Sequence, residues 1–285
     1  MDPLVSADWL MARLEQPRLR VVDCRFDLGD RTAGRRAYEA GHIPGAAFLD
    51  LDEDLAAPPG APHPEHRRGP VGGRHPLPGL DRFAAAARRA GIATGTTVVA
   101  YDDAMSGGAA RLWWLLRHAG FDDVAVLDGG LAGWDGPLQT GTRTPAPGDF
   151  APGRVRTDDV VTAEQLAADL QRPPRERRLL VLDARAPERH RGEREPIDPV
   201  AGRIPGARNL PAATALNPPR DVLEASKTPV AACGSGVTAC VVLLGLAAAG
   251  RDDGKLYPGS YSDWVARGLP VERDAFPGTP DARGE

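Results

Sequence analysis

One cysteine, Cys233, stands where a short apolar run meets a glycine-rich turn. The run Thr228–Ala232 reads as a buried strand, Cys233-Gly234-Ser235-Gly236-Val237-Thr238-Ala239 as a tight turn, and 240–249 as an apolar helix that stops at Gly250. A strand, a turn and a helix N-terminus in that order surround one sulfur with backbone N–H groups. Those groups and the helix dipole favour an anion, here a thiolate, which is the nucleophilic form of cysteine. A lone cysteine at a strand end is most often inert core. The glycine spacing, and the internal repeat described next, argue for chemistry instead.

The elements that must position this turn occur twice. Val21-Val22-Asp23-Cys24-Arg25 returns as Val181-Leu182-Asp183-Ala184-Arg185, and Gly41-His42-Ile43-Pro44-Gly45-Ala46 as Gly202-Arg203-Ile204-Pro205-Gly206-Ala207. Asp128 to Trp134 returns as Pro258 to Trp264. The period is far longer than a solenoid unit, so the pattern is a domain duplication. The stretch 136–157, rich in Pro, Gly and Thr, reads as the connection. The expected division is a domain over 1–140, a linker over 141–157 and a second domain over 158–285. In the first half Leu19–Asp23, Thr97–Tyr101 and Val124–Leu127 read as strands, and 80–90 and 109–119 as helices. In the second half Thr162 and Gln165 form a capping-box pattern before a helix Ala163–Leu170, and Leu179–Asp183 and 230–232 read as strands. This alternation predicts two α/β domains, each with a mostly parallel sheet flanked by helices. Aligning the halves sets Asp102 opposite Cys233, so only the second half carries the thiol.

Bulk properties narrow the function classes. The 285 residues suffice for two ordinary domains, and 42% hydrophobic content supports packed cores. A net charge of −4, from 35 basic and 39 acidic residues, gives no general attraction to nucleic acid or an anionic membrane. The arginine groups Arg67-Arg68 and Arg175 to Arg178 are short, lie among prolines and read as solvated loops. No run approaches the roughly 18 apolar residues of a membrane span, and Met1 to Val5 lacks the start of a secretory signal. Three cysteines form neither a disulfide framework nor a zinc pattern, so a cytoplasmic setting with no metal is expected.

Taken together, the paired Gly-x-Ile-Pro-Gly-Ala segments, Asp183-x-Arg185, the Cys233 loop and the segment Gly259 to Trp264 resemble the tandem-domain sulfurtransferases of the rhodanese superfamily, over nearly the whole chain. The resemblance implies that Cys233 takes a sulfane sulfur from a small-molecule donor, becomes a persulfide, and passes the sulfur to a thiol such as thioredoxin or a small thiol, or to cyanide, without a cofactor. It also suggests the donor. Family members that use the dianion thiosulfate tend to carry Arg and Lys directly after the cysteine. Gly234 and Ser235 are neutral, and the loop through Gly236, Val237 and Thr238 resembles that of 3-mercaptopyruvate sulfurtransferases. Arg189 matches the family position that grips the donor carboxylate, and Arg185 is expected to order the loop more than to touch donor. A second family arginine would fall at Asp198, so Arg191 or Arg194 would have to substitute, donor affinity would be weaker, or the donor would be another, with thiosulfate the alternative. Ser235, His75 and Asp52 match positions proposed to relay a proton. Asp50 and Asp54 lie close to Asp52, and the arrangement requires the first half to cap the loop of the second.

Cys24 reads as core. Cys240 reads as a buried helix residue, with a redox role only if the loop frays. A phosphatase of related fold would need Cys-x5-Arg, and that position holds Ala239. A non-enzymatic sulfur-sensing or binding module is the remaining alternative, which the intact cysteine loop opposes.

Overall fold

The computed structural model describes residues 1–60 and 71–274. Arg67-Arg68 and the end of the second expected domain lie outside the described residues. The first half holds the strands β1 (Leu4–Val5), β2 (Leu19–Asp23), β3 (Ala47–Phe48), β4 (Thr97–Tyr101) and β5 (Val124–Leu127). They form a parallel sheet in the order β1-β5-β4-β2-β3. The second half holds β6 (Leu179–Asp183), β7 (Arg208–Asn209), β8 (Thr228–Ala232) and β9 (Lys255–Leu256), parallel in the order β7-β6-β8-β9. Val160 bridges Leu256 in parallel, at the place β1 holds in the first sheet. Asp23 pairs with Tyr101 and Asp183 with Ala232, so the residues after the central strands, Asp102 and Cys233, are structural counterparts.

Two helices follow those central strands and pack on each other between the sheets. Gly108–His118 is buried from Gly108 through Leu116, and Ala239–Ala248 from Ala239 through Leu246. The second is apolar on every face because neighbours surround it on every face. One apolar cluster runs from Trp113 and Trp114 to Leu243 and Leu246 and joins both halves. Gly107, at φ +115°, approaches so closely that an added Cβ would lie 3.2 Å from Thr238 Cα. The loops after β4 and β8 therefore meet at the interface, at the carboxyl ends of the strands where α/β folds build their sites. No helix among the described residues is long and apolar enough to cross a membrane.

The repeated segments are matching braces. Arg25 pairs with Asp23 and donates to the Gly41 carbonyl at 2.7 Å; Arg185 pairs with Asp183 and donates to the Gly202 carbonyl at 2.7 Å. Leu131 N–H donates to Asp102 O, and Tyr261 N–H to Cys233 O. The capping box at Thr162 and Gln165 forms as expected. The stretch read as a linker runs as a strap over the first half. Gln139 exchanges backbone hydrogen bonds with His42, and Phe150 packs edge-on against Phe83 and Phe121. Its Pro and Gly residues shape a path over a surface; they do not make it a free spacer.

Candidate active site

Cys233 is only 2% exposed, at the end of β8. Its Sγ accepts the N–H of Ser235 at 3.4 Å and of Gly236 at 3.0 Å. Gly236 has φ +82°, and a Cβ there would fall 2.3 Å from the Pro258 carbonyl, so glycine is required. Ser260 completes the cradle. Its Oγ accepts Cys233 N–H at 3.0 Å and lies 4.0 Å from Sγ. Ser260 sits at φ +53°, where the first half uses Gly130 at φ +59°. A serine held in a conformation suited to glycine marks a site where the hydroxyl is needed. Sequence reading missed Ser260; the available signal was a serine aligned with Gly130.

The three relay residues come together across the interface. Ser235 Oγ lies 2.8 Å from His75 Nδ1, and His75 Nε2 lies 3.3 Å from Asp52 Oδ1. The Asp52 carboxylate beside Nε2 favours the tautomer that carries its proton there, which leaves Nδ1 to accept from the Ser235 hydroxyl. Burial pulls the His75 pKa down to about 4; Asp52 opposes this, while Arg111, Arg74 and Arg31 reinforce it. The imidazole is thus neutral at pH 7. Asp52 is distinguished from its neighbours by its contacts. Asp50 accepts the N–H groups of Asp52 and Glu53, and Asp54 pairs with Arg89.

The cations differ from the sequence expectation. Arg191 pairs with Glu193 at the surface and Arg194 is exposed, so neither substitutes for the second arginine. The second cation is Arg74, from the first half, which pairs with Asp198. Arg189 is held by Glu195 at 3.0 and 2.7 Å and by Asp198 at 3.2 Å. A Cβ on Gly234 would lie 2.6 Å from Arg74 Nη2 and 3.8 Å from Arg189 Nη1. Neither nitrogen has a hydrogen-bond partner among the described residues. Two guanidinium edges thus converge beside the sulfur, in a cavity of about 200 Å³ that Val237, Thr238, Phe26 and Ile197 also line. Arg185 lines it as well, but its nitrogens are engaged by Asp183, Gly202 and Glu195 and its plane lies 3.9 Å over Tyr261. Its part is to hold the wall. Three arginines (74, 185, 189) face three carboxylates (183, 195, 198), so the empty cluster is balanced in formal charge.

The other thiols are buried. Cys24 packs in the core, and burial raises its pKa well above the ordinary range. Cys240 donates to the Gly236 carbonyl at 3.4 Å, and burial pushes its pKa up to about 12.

Comparison with known proteins identifies the family. The sequence matches the rhodanese-like domain family twice, over residues 6–136 and 162–267. It is 43% identical to a protein of Pseudomonas aeruginosa named a probable 3-mercaptopyruvate sulfurtransferase, covering 92% of this chain and 94% of that one. It is 38% identical to SseB of Mycobacterium tuberculosis, named a candidate thiosulfate sulfurtransferase, over 86% and 87% of the two chains. The fold superposes on the crystal structure of SseA from Escherichia coli, a 3-mercaptopyruvate sulfurtransferase, with a TM-score of 0.70 at 31% identity, over 92% and 99% of the chains. Both halves carry the family pattern, and the chain is a tandem-domain member of the rhodanese-like family.

Proposed function

We propose that this sulfurtransferase takes a sulfane sulfur from 3-mercaptopyruvate, holds it as a persulfide on Cys233, and delivers it to a thiol. The observation that carries the donor is the pair of open guanidinium edges, Arg74 Nη2 and Arg189 Nη1, beside Gly234. Two guanidinium N–H donors side by side suit one carboxylate. The cluster around them is already balanced in charge, which favours a donor that brings one negative charge to this pocket over the dianion thiosulfate.

The Cys233 thiolate attacks the donor sulfur, the donor C–S bond breaks, and its electrons leave on pyruvate enolate. The donor's thiol proton passes through Ser235, with neutral His75 accepting and returning it, to the enolate carbon. Pyruvate departs and Cys–S–S⁻ remains. An acceptor thiolate then attacks the outer sulfur and restores Cys233 as thiolate. Asp52 keeps the imidazole in the accepting tautomer. The acceptor is a small thiol or a thioredoxin-type protein thiol, with cyanide serving in assays. The three free, buried cysteines suit the reducing cytoplasm.

Steady-state kinetics with cyanide as common acceptor test the donor. The expected kcat/KM for 3-mercaptopyruvate exceeds that for thiosulfate by about tenfold or more, the value of one better-matched charged contact. A higher kcat/KM for thiosulfate would reverse the assignment and make the protein a thiosulfate sulfurtransferase.

A further inference from the structure

Arg111 lies on the helix Gly108–His118 of the first half, whose nest holds Asp102 in place of a cysteine, and it is fully buried. A buried guanidinium ordinarily meets a carboxylate, because an unmatched interior charge is among the costliest features a fold can hold. Among the described residues Arg111 meets none. Its nitrogens donate to four backbone carbonyls: Leu55 at 3.3 Å, His75 at 3.0 Å, Pro76 at 3.3 Å and, across the interface, Gly236 at 3.1 Å. Two of these belong to the site. His75 bears the relay imidazole, and Gly236 is the residue whose N–H holds the Cys233 sulfur.

The ionisable groups facing Arg111 are Cys240, Cys233 and His75. Burial lowers the pKa of Arg111; Cys240 opposes that most, by charge and by a side-chain hydrogen bond, and Cys233 after it, yet a guanidinium stays charged in a protein. Cys240 is a neutral thiol and His75 a neutral imidazole at pH 7. One group remains to carry the matching negative charge. In the reaction above, that charge never leaves the loop: a thiolate begins each cycle, a persulfide anion follows, and a thiolate returns. We infer that Arg111 is the fixed counter-charge of the Cys233 sulfur, a positioning residue that the non-catalytic half supplies across the interface. The position aligned with Arg111 in the second half is Val242, so the device runs one way, from the half with Asp102 in its nest to the half with Cys233.

The inference rests on Cys233 as the reactive sulfur, and its test needs no donor. Full-length wild type, Arg111→Met and Arg111→Lys are treated with iodoacetamide at pH 7, and Cys233 alkylation is followed by peptide mass. Arg111→Met should slow alkylation roughly tenfold or more by removing the charge that favours thiolate. Arg111→Lys keeps the charge and loses the fork, and should stay within about threefold of wild type. In turnover Arg111→Met should lower kcat and leave KM for the donor within about twofold, since Arg111 does not touch donor. Wild-type alkylation in Arg111→Met, or Arg111→Lys as slow as Arg111→Met, would overturn the inference and leave a packing role. Urea unfolding gives an independent arm. The penalty of Arg111→Met should be smaller in a Cys233→Ser background than beside Cys233, and equal penalties would also overturn it. A reversed donor preference would leave these outcomes untouched, so the two readings fail separately.

Discussion

The loops after β4 and β8 are the same structure holding two different side chains, a carboxylate and a sulfur. In the first half Asp102 turns back into its own loop and accepts the N–H groups of Ser106 at 3.0 Å, Gly107 at 2.9 Å and Ala109 at 3.1 Å. In the second half Cys233 Sγ takes that place, with Ser235 and Gly236 as donors. The fold therefore makes an anion nest at each central strand end. Filled with a carboxylate, the nest is permanently occupied and inert. Filled with sulfur, it holds the group that acts as nucleophile in the reaction proposed above. The first half is not idle: it places His75, Asp52, Arg74 and Arg111 against the loop of the second. The duplicated fold thus builds one chemical centre with walls from both copies.

The comparison breaks most visibly at the sulfur. Cys233→Ser should retain the fold and lose sulfur transfer to below about 1% of wild type, because an alkoxide is not available to take its place. Residual turnover above that level would put the nucleophile elsewhere. Next come the cations. Arg74→Ala and Arg189→Ala should each lower kcat/KM for 3-mercaptopyruvate about ten- to a hundredfold, mainly through KM. If only Arg189→Ala responds, the first half does not help bind donor. The inert nest shows its role in stability. Asp102→Ala leaves buried N–H groups unpaired and should cost about 2–3 kcal/mol in urea unfolding; a loss under about 0.5 kcal/mol would mean the nest needs no anion.

The smallest expected effect is in pH. The His75 pKa is about 4 in the folded chain, against 6.5 ordinarily. Between those values the unfolded chain binds the proton that the folded one refuses. Stability is therefore full above about pH 6.5, falls as pH drops, and has lost its His75 share below about pH 4, a share of about 1–3 kcal/mol. His75→Asn should flatten that part of the slope of unfolding free energy against pH. Equal slopes in variant and wild type would show that His75 is not held neutral.

Much of this was legible in the chain because it is local or repeated. The central strands, the capping box at Thr162 and the Cys233 turn follow from periodicity and from glycine positions. The Asp102–Cys233 equivalence follows from repeat alignment, although Asp102 then reads only as a polar turn. Its role as the anion of its own nest depends on the loop path. Two-residue strands such as Ala47–Phe48 carry no period to detect. Arg74 was hidden because it reaches the donor pocket from the other half, and Asp198 drew attention to its sequence neighbours Arg191 and Arg194 instead. Arg111 was hidden for a similar reason. Within its helix it reads as one polar residue among apolar ones, and only the packing of the two halves seals it from water. Ser260 required knowing the backbone angle at its position.

The most direct test of the account is to find the transferred sulfur. Full-length protein is incubated with 3-mercaptopyruvate and no acceptor, digested, and mapped by mass. The account predicts one added sulfur atom, on the peptide bearing Cys233, that cyanide removes as thiocyanate. A cyanide-labile sulfur on the peptide of Cys24, or on Cys240 with Cys233 unmodified, would contradict it, as would turnover with no added sulfur on any cysteine.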